Sequence, residues 1–196
     1  MLAPVLGTVV AAQLHSAALQ GFWQGLVLQA FLLLAPLDLL VRRRPPAWIG
    51  LRRAGLVRAL VPALVLSALY GVLLLVGARF GVVLPHFDAA RRELGLLPVL
   101  ALYVPFWGVL EAVWVNHLVR TVTAALGHGR PTWAAILLAG LWFGLMHVVV
   151  QLVLDSGGLG SFVSLYIGVF AVLAGFLLRR TGNGWGFVLF WTVVNF

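Results

Sequence analysis

Three polar side chains stand where apolar neighbours would be expected: Glu111, His147 and Asn195. Each costs free energy in a hydrocarbon setting, so each needs a reason. Glu111 is the only carboxylate between Glu93 and Asp155. A buried carboxyl and an imidazole can share a proton and act as general base and general acid on a carbonyl. The other reading of the same pair is structural, a hydrogen bond that locks two helices together.

The rest of the chain shows what must hold these groups. It has 196 residues, 63% hydrophobic and only 9% charged, with a mean hydropathy of +1.09. A soluble domain is about a quarter charged, so a soluble globular enzyme is excluded, and disorder with it. The expected class is all-α, a polytopic transmembrane helical bundle of about six helices forming one integral-membrane domain over residues 1–196. There is no Cys, hence no disulfide, thiolate ligand or cysteine nucleophile.

A membrane span takes roughly 20 apolar residues. Candidates cover residues 4–40, 56–84, 95–126, 131–154, 159–178 and 185–196. The first is longer than one span requires and ends at Arg42-Arg43-Arg44-Pro45-Pro46. No basic stretch precedes it, so it reads as a retained helix rather than a signal peptide. The last is too short to cross alone. With that alternation, ten arginines (42, 43, 44, 52, 53, 58, 120, 130, 179 and 180) fall on one side and Arg79, Arg91 and Arg92 on the other. The bias predicts an N-terminus outside and Arg-rich loops in the cytoplasm. The formal net charge of +8 is then matched to lipid headgroups rather than to nucleic acid.

Depth arithmetic brings the polar residues together. Glu111 comes about four helical turns before Leu126, and His147 about four turns after Thr132. Both are roughly 22 Å of helix rise from the cytoplasmic side. Asn195, about three turns past Gly184, is roughly 17 Å up. His117, about 240° around the helix from Glu111, faces elsewhere and reads as interfacial. Gln13, Gln20 and Gln24 form a stripe on the first span, with His15 off that face. Gly140 and Gly144, and Gly168 with Ala171 and Gly175, read as sites of close helix packing. Trp48, Trp133 and Trp185 suit interface anchors. No repeat or broken-helix pattern points to a transporter.

Glu111-Ala112-Val113-Trp114-Val115-Asn116, then Phe143-Gly144-Leu145-Met146-His147, then Trp191-Thr192-Val193-Val194-Asn195 resemble the three motifs of the CPBP family, EExxxR, FxxxH and HxxxN. That family contains the CAAX prenyl endoproteases and the bacteriocin-processing and bacteriocin-immunity proteins of bacteria. The resemblance covers about residues 51–196. It implies a glutamate-dependent intramembrane endopeptidase acting on a membrane-associated peptide or protein, with no metal and no cofactor. Glu111 then matches the water-activating acid, His147 its partner and Asn195 the oxyanion position. Trp191, Asn116 and Phe143 complete the set on the substrate and oxyanion side.

The departures from that pattern carry chemistry. Ala112 and Asn116 stand where the second Glu and the Arg belong, which removes both partners of an i,i+4 charge pair together. Trp191 stands in place of the third-motif His, and an indole N–H donates one hydrogen bond but accepts no proton. The alternative expectation is therefore a catalytically inactive family member, a membrane scaffold or bacteriocin-immunity-type protein.

Overall fold

The chain is described by a computed structural model over residues 29–80, 95–154 and 166–194. Among the described residues there is no strand. The elements are α1 (Leu34–Val41), α2 (Leu56–Arg79), α3 (Leu96–Ala125), α4 (Trp133–Leu154), α5 (Tyr166–Thr181) and α6 (Trp185–Val194), with 3-10 turns at Gln29–Leu33 and Pro46–Ile49. Two of them, α2 and α3, are long and apolar enough to cross a membrane. The helices follow the apolar runs of the sequence closely at 95–126, 131–154 and 185–194. The segment 1–28, with the Gln stripe and His15, lies outside the described residues, as do Arg91 and Arg92.

Local sequence sets the ends. α1 stops at the arginine run: Arg43 takes a left-handed φ of 50°, Arg43 N–H donates to Leu40 O at 3.1 Å, and Arg44 N–H to Leu39 O at 2.8 Å. This is a Schellman-type cap with arginine where glycine is usual, and Pro45-Pro46 prevents any continuation. α4 starts after Pro131, with Thr132 Oγ1 accepting from Ala135 N–H at 3.2 Å as a helix cap does. Fully buried Asn183 joins two loops. Its Oδ1 accepts from Trp185 N–H at 2.9 Å, and its Nδ2 donates to Arg52 O and Ala54 O at 2.7 and 2.9 Å.

α3 is not uniform. Val104–Leu110 winds as a π-helix before regular α geometry resumes at Glu111. Pro105 lies in this stretch; it has no N–H to give and its ring crowds the preceding turn, which the wider winding accommodates. The same turn carries Gly108. A Cβ there would meet Thr192 Oγ1 of α6 at 2.6 Å, so the missing side chain lets α6 close on α3 just below the acid.

Small residues also seat α4 on α5. A Cβ on Gly168 would lie 2.6 Å from the Gly140 carbonyl oxygen and 3.4 Å from Gly144 Cα. The expected close packing at these three glycines is what the structure has. Inside, Phe143, Phe187, Phe190, Trp191, Ile136 and Val115 form one buried cluster. Outside, large apolar side chains stay exposed, including Val57, Leu73 and Leu75 on α2 and Leu137, Leu141 and Trp142 on α4.

Candidate active site

Glu111 is 2% exposed, among Ala112, Val115, Phe143 and Trp191, which are equally buried. Its two carboxylate oxygens have different partners. Oε1 lies 3.3 Å from His147 Nε2. Oε2 accepts the Trp191 indole N–H at 2.8 Å. α3 supplies the acid at the first residue after its π turn, α4 the imidazole and α6 the indole. The three sequence motifs thus meet at one point, as depth arithmetic predicts for the first two.

The imidazole is held from its other side. His147 Nδ1 lies 2.9 Å from Phe143 O, one turn back on α4. A carbonyl oxygen only accepts, so Nδ1 carries a proton and donates it. With Nδ1 turned to Phe143 O, Nε2 is the ring nitrogen that faces Glu111 Oε1. A proton placed between these two atoms would bond both, and a pair sharing one proton carries no net charge, the form that burial tolerates. Each carboxylate oxygen has two lone pairs, so both keep acceptor capacity for a water.

Aromatic rings enclose the pair. The Phe143 ring meets His147 edge-on at 4.6 Å and Trp191 at 5.7 Å. Trp114 lies 5.6 Å from Phe143, and Phe31 packs on Trp114 at 5.4 Å. The His147 side chain is 20% exposed against 3% for Glu111, so the imidazole marks the side from which the acid is reached.

The remaining candidates fall in different places. The Trp191 N–H points at Glu111 and is committed to it, so this residue supports the acid and does not face an oxyanion. Asn116 is fully buried, but its Nδ2 donates at 3.4 Å to Gly184 O in the α5–α6 turn. Five residues along α3 from Glu111, it is roughly 7.5 Å away in rise and about 140° around, so it does not join the oxyanion side. It ties α3 to the α5–α6 turn. Phe143 contributes its ring and its carbonyl to His147. Asn195 lies outside the described residues.

Sequence reasoning did not find the partner of His117. Its Nε2 is 2.8 Å from Asp38 Oδ2, across α1 and α3, and Arg42 also pairs with Asp38. His117 therefore has a carboxylate partner, with 16% of its side chain exposed. The one sequence signal was Asp38 itself, an acid within an apolar run. Among the described residues no group of three His, Cys, Asp or Glu converges.

Replacing Trp191 by Phe keeps a ring in the cluster and removes its one donor to a buried carboxyl. The expected cost is about 1–3 kcal/mol of stability, read as a lower thermal midpoint in detergent. A midpoint equal to the wild type would show that this bond contributes nothing.

Comparison with family models, with curated proteins and with solved structures finds no match to this chain.

Proposed function

We propose that this chain is a polytopic membrane protein of the CPBP type, an intramembrane endopeptidase that hydrolyses a peptide bond of a membrane-associated substrate. The observation that carries the reading is the Glu111–His147 contact at 3.3 Å, inside an aromatic cluster. Several features support the membrane setting. Apolar side chains remain exposed on α2 and α4. The arginine-bearing loops gather at one end, where Arg120 donates to Trp48 O, Asn183 to Arg52 O and Arg179 to Pro131 O. That end is assigned to the cytoplasm of a bacterial inner membrane, with the N-terminus outside.

The chemistry needs one proton shared by the pair. With the pair as carboxylate and imidazolium, Glu111 takes a proton from water as the water oxygen attacks the scissile carbonyl carbon. His147 orients the attack and keeps its proton available. Asn195, assigned on the resemblance alone, donates its amide N–H to the oxyanion. Collapse of the tetrahedral adduct breaks the C–N bond, and a proton held by the pair passes to the leaving amine. Binding the peptide between helices supplies the positioning.

A second reading has its own support. Both oxygens of a nearly inaccessible Glu111 are engaged by protein, and Trp191 occupies the third-motif His position. A scaffold or immunity-type protein would keep the pair for helix locking or partner binding.

The deciding experiment is cleavage of membrane-anchored reporter peptides by the full chain in liposomes. Glu111→Gln removes the base while keeping size and hydrogen bonding, and cleavage should fall roughly 10²–10⁴-fold. Cleavage indifferent to that change overturns the hydrolase reading. Reporters left intact by the wild type, with partner binding unchanged in Glu111→Gln and His147→Ala, move the conclusion to the scaffold.

A further inference from the structure

Away from the acid pair, a concavity of about 430 Å³ opens between the α3–α4 loop and the end of α5. Its wall is formed by His128, Gly129, Arg130, Pro131, Thr132 and Arg179. Two guanidinium groups and an imidazole line it, and no acid does. The described carboxylates are committed elsewhere, Asp38 to Arg42 and His117 and Glu111 to His147 and Trp191. Arg130 makes no hydrogen bond or ion pair among the described residues. Like charges gathered without compensation are unfavourable unless an anion completes them.

The wall is also held in shape. Arg179 Nη1 donates to Pro131 O at 2.8 Å, and its guanidinium stands 5.5 Å from the Trp133 ring. Arg120 Nη1 donates to Gly129 O at 3.2 Å while its Nε donates to Trp48 O at 2.8 Å. Two side chains therefore fix two nearby loop carbonyls. Only one of the five N–H groups of Arg179 is used on Pro131, and a planar guanidinium suits the oxygens of a phosphate.

The position narrows the source. Trp133 is 49% exposed and stacks on Phe176 at 5.9 Å, directly beside the concavity. One turn deeper on α4, Leu137 and Leu138 are exposed. An aromatic pair between a basic hollow and an apolar face marks the depth of lipid headgroups. We infer that His128, Arg130 and Arg179 form a binding site for a phosphate-bearing anion, occupied in the membrane by the headgroup of an anionic phospholipid. This inference stands apart from the hydrolase reading.

The test uses the full chain in detergent, with its thermal midpoint titrated by dioctanoyl-phosphatidylglycerol, dioctanoyl-phosphatidylcholine and inorganic phosphate. Phosphatidylglycerol should raise the midpoint saturably, as a ligand of the folded state does, whereas phosphatidylcholine, whose phosphate is offset by its own cation, should not. The double variant H128Q/R130Q should weaken that apparent affinity roughly tenfold or more with its lipid-free midpoint unchanged. The matched double variant R53Q/R58Q, on exposed arginines outside the hollow, should bind as the wild type. A saturable rise with inorganic phosphate that H128Q/R130Q also weakens keeps the site and makes its ligand a soluble phosphate. Equal affinity in H128Q/R130Q and wild type, or equal loss in R53Q/R58Q, overturns the site in favour of diffuse surface charge.

Discussion

His147→Ala should cost the protein both its activity and a large part of its stability. Removing the imidazole leaves the Glu111 carboxyl in an aromatic cluster without its partner on α4. Breaking a buried pair by deleting one partner costs about 3–5 kcal/mol. Cleavage should fall roughly 10²–10⁴-fold, the usual range for losing a positioned acid or base. Either effect alone would be ambiguous, since a destabilised protein also loses activity. His147→Gln separates them. Its side-chain amide can still donate toward Glu111 Oε1, and so should recover much of the thermal midpoint in detergent. It cannot exchange a proton, so cleavage should stay at the level of His147→Ala. A Gln variant that cleaves like the wild type would show the imidazole to be a strut only.

What the sequence revealed, and what it hid, follows from the range of the interactions. The helices from 95 onward were legible because each is a continuous apolar run between turn residues, and Pro131 and Gly182-Asn183-Gly184 mark their ends chemically. The approach of Glu111 and His147 was legible too, because equal rise from one surface is simple arithmetic on two straight helices. The π turn at Val104–Leu110 was not. Pro105 is plain in the sequence, but whether a helix kinks, breaks or widens there depends on what packs against it, here Thr192 of α6 against Gly108. Trp191 was visible as a donor, whereas its acceptor was set by a contact spanning 80 residues. Asn116 misled for a related reason. A motif position fixes spacing along one helix, and the rotation of α3 between Glu111 and Asn116 turned this side chain toward Gly184 instead. The Asp38–His117 contact, 79 residues apart, has no periodic signature at all.

Gly168→Leu should be strongly destabilising by forcing a close helix contact apart. At this position the obstacle to a Cβ is backbone, the Gly140 carbonyl oxygen at 2.6 Å and Gly144 Cα at 3.4 Å. Backbone cannot rotate away as a side chain can, so α4 and α5 must separate. Overpacking of this kind costs about 1–3 kcal/mol and sometimes more, and a whole isobutyl group belongs at the upper end. Gly71→Leu on α2 is the matched control. No atom lies within 4 Å of a Cβ there, so it should be neutral or, through helix propensity, stabilising by up to about 1 kcal/mol. The contrast removes composition from the comparison, since both variants exchange a helical glycine for the same apolar residue. Thermal midpoints of the two in one detergent decide it, and equal midpoints would mean that α4 and α5 are not held at glycine distance. The consequence reaches the acid pair. Gly144 sits just under one turn before His147 on α4, so a displaced α4 carries the imidazole away from Glu111. Gly168→Leu should therefore lose cleavage along with stability, with neither residue of the pair altered.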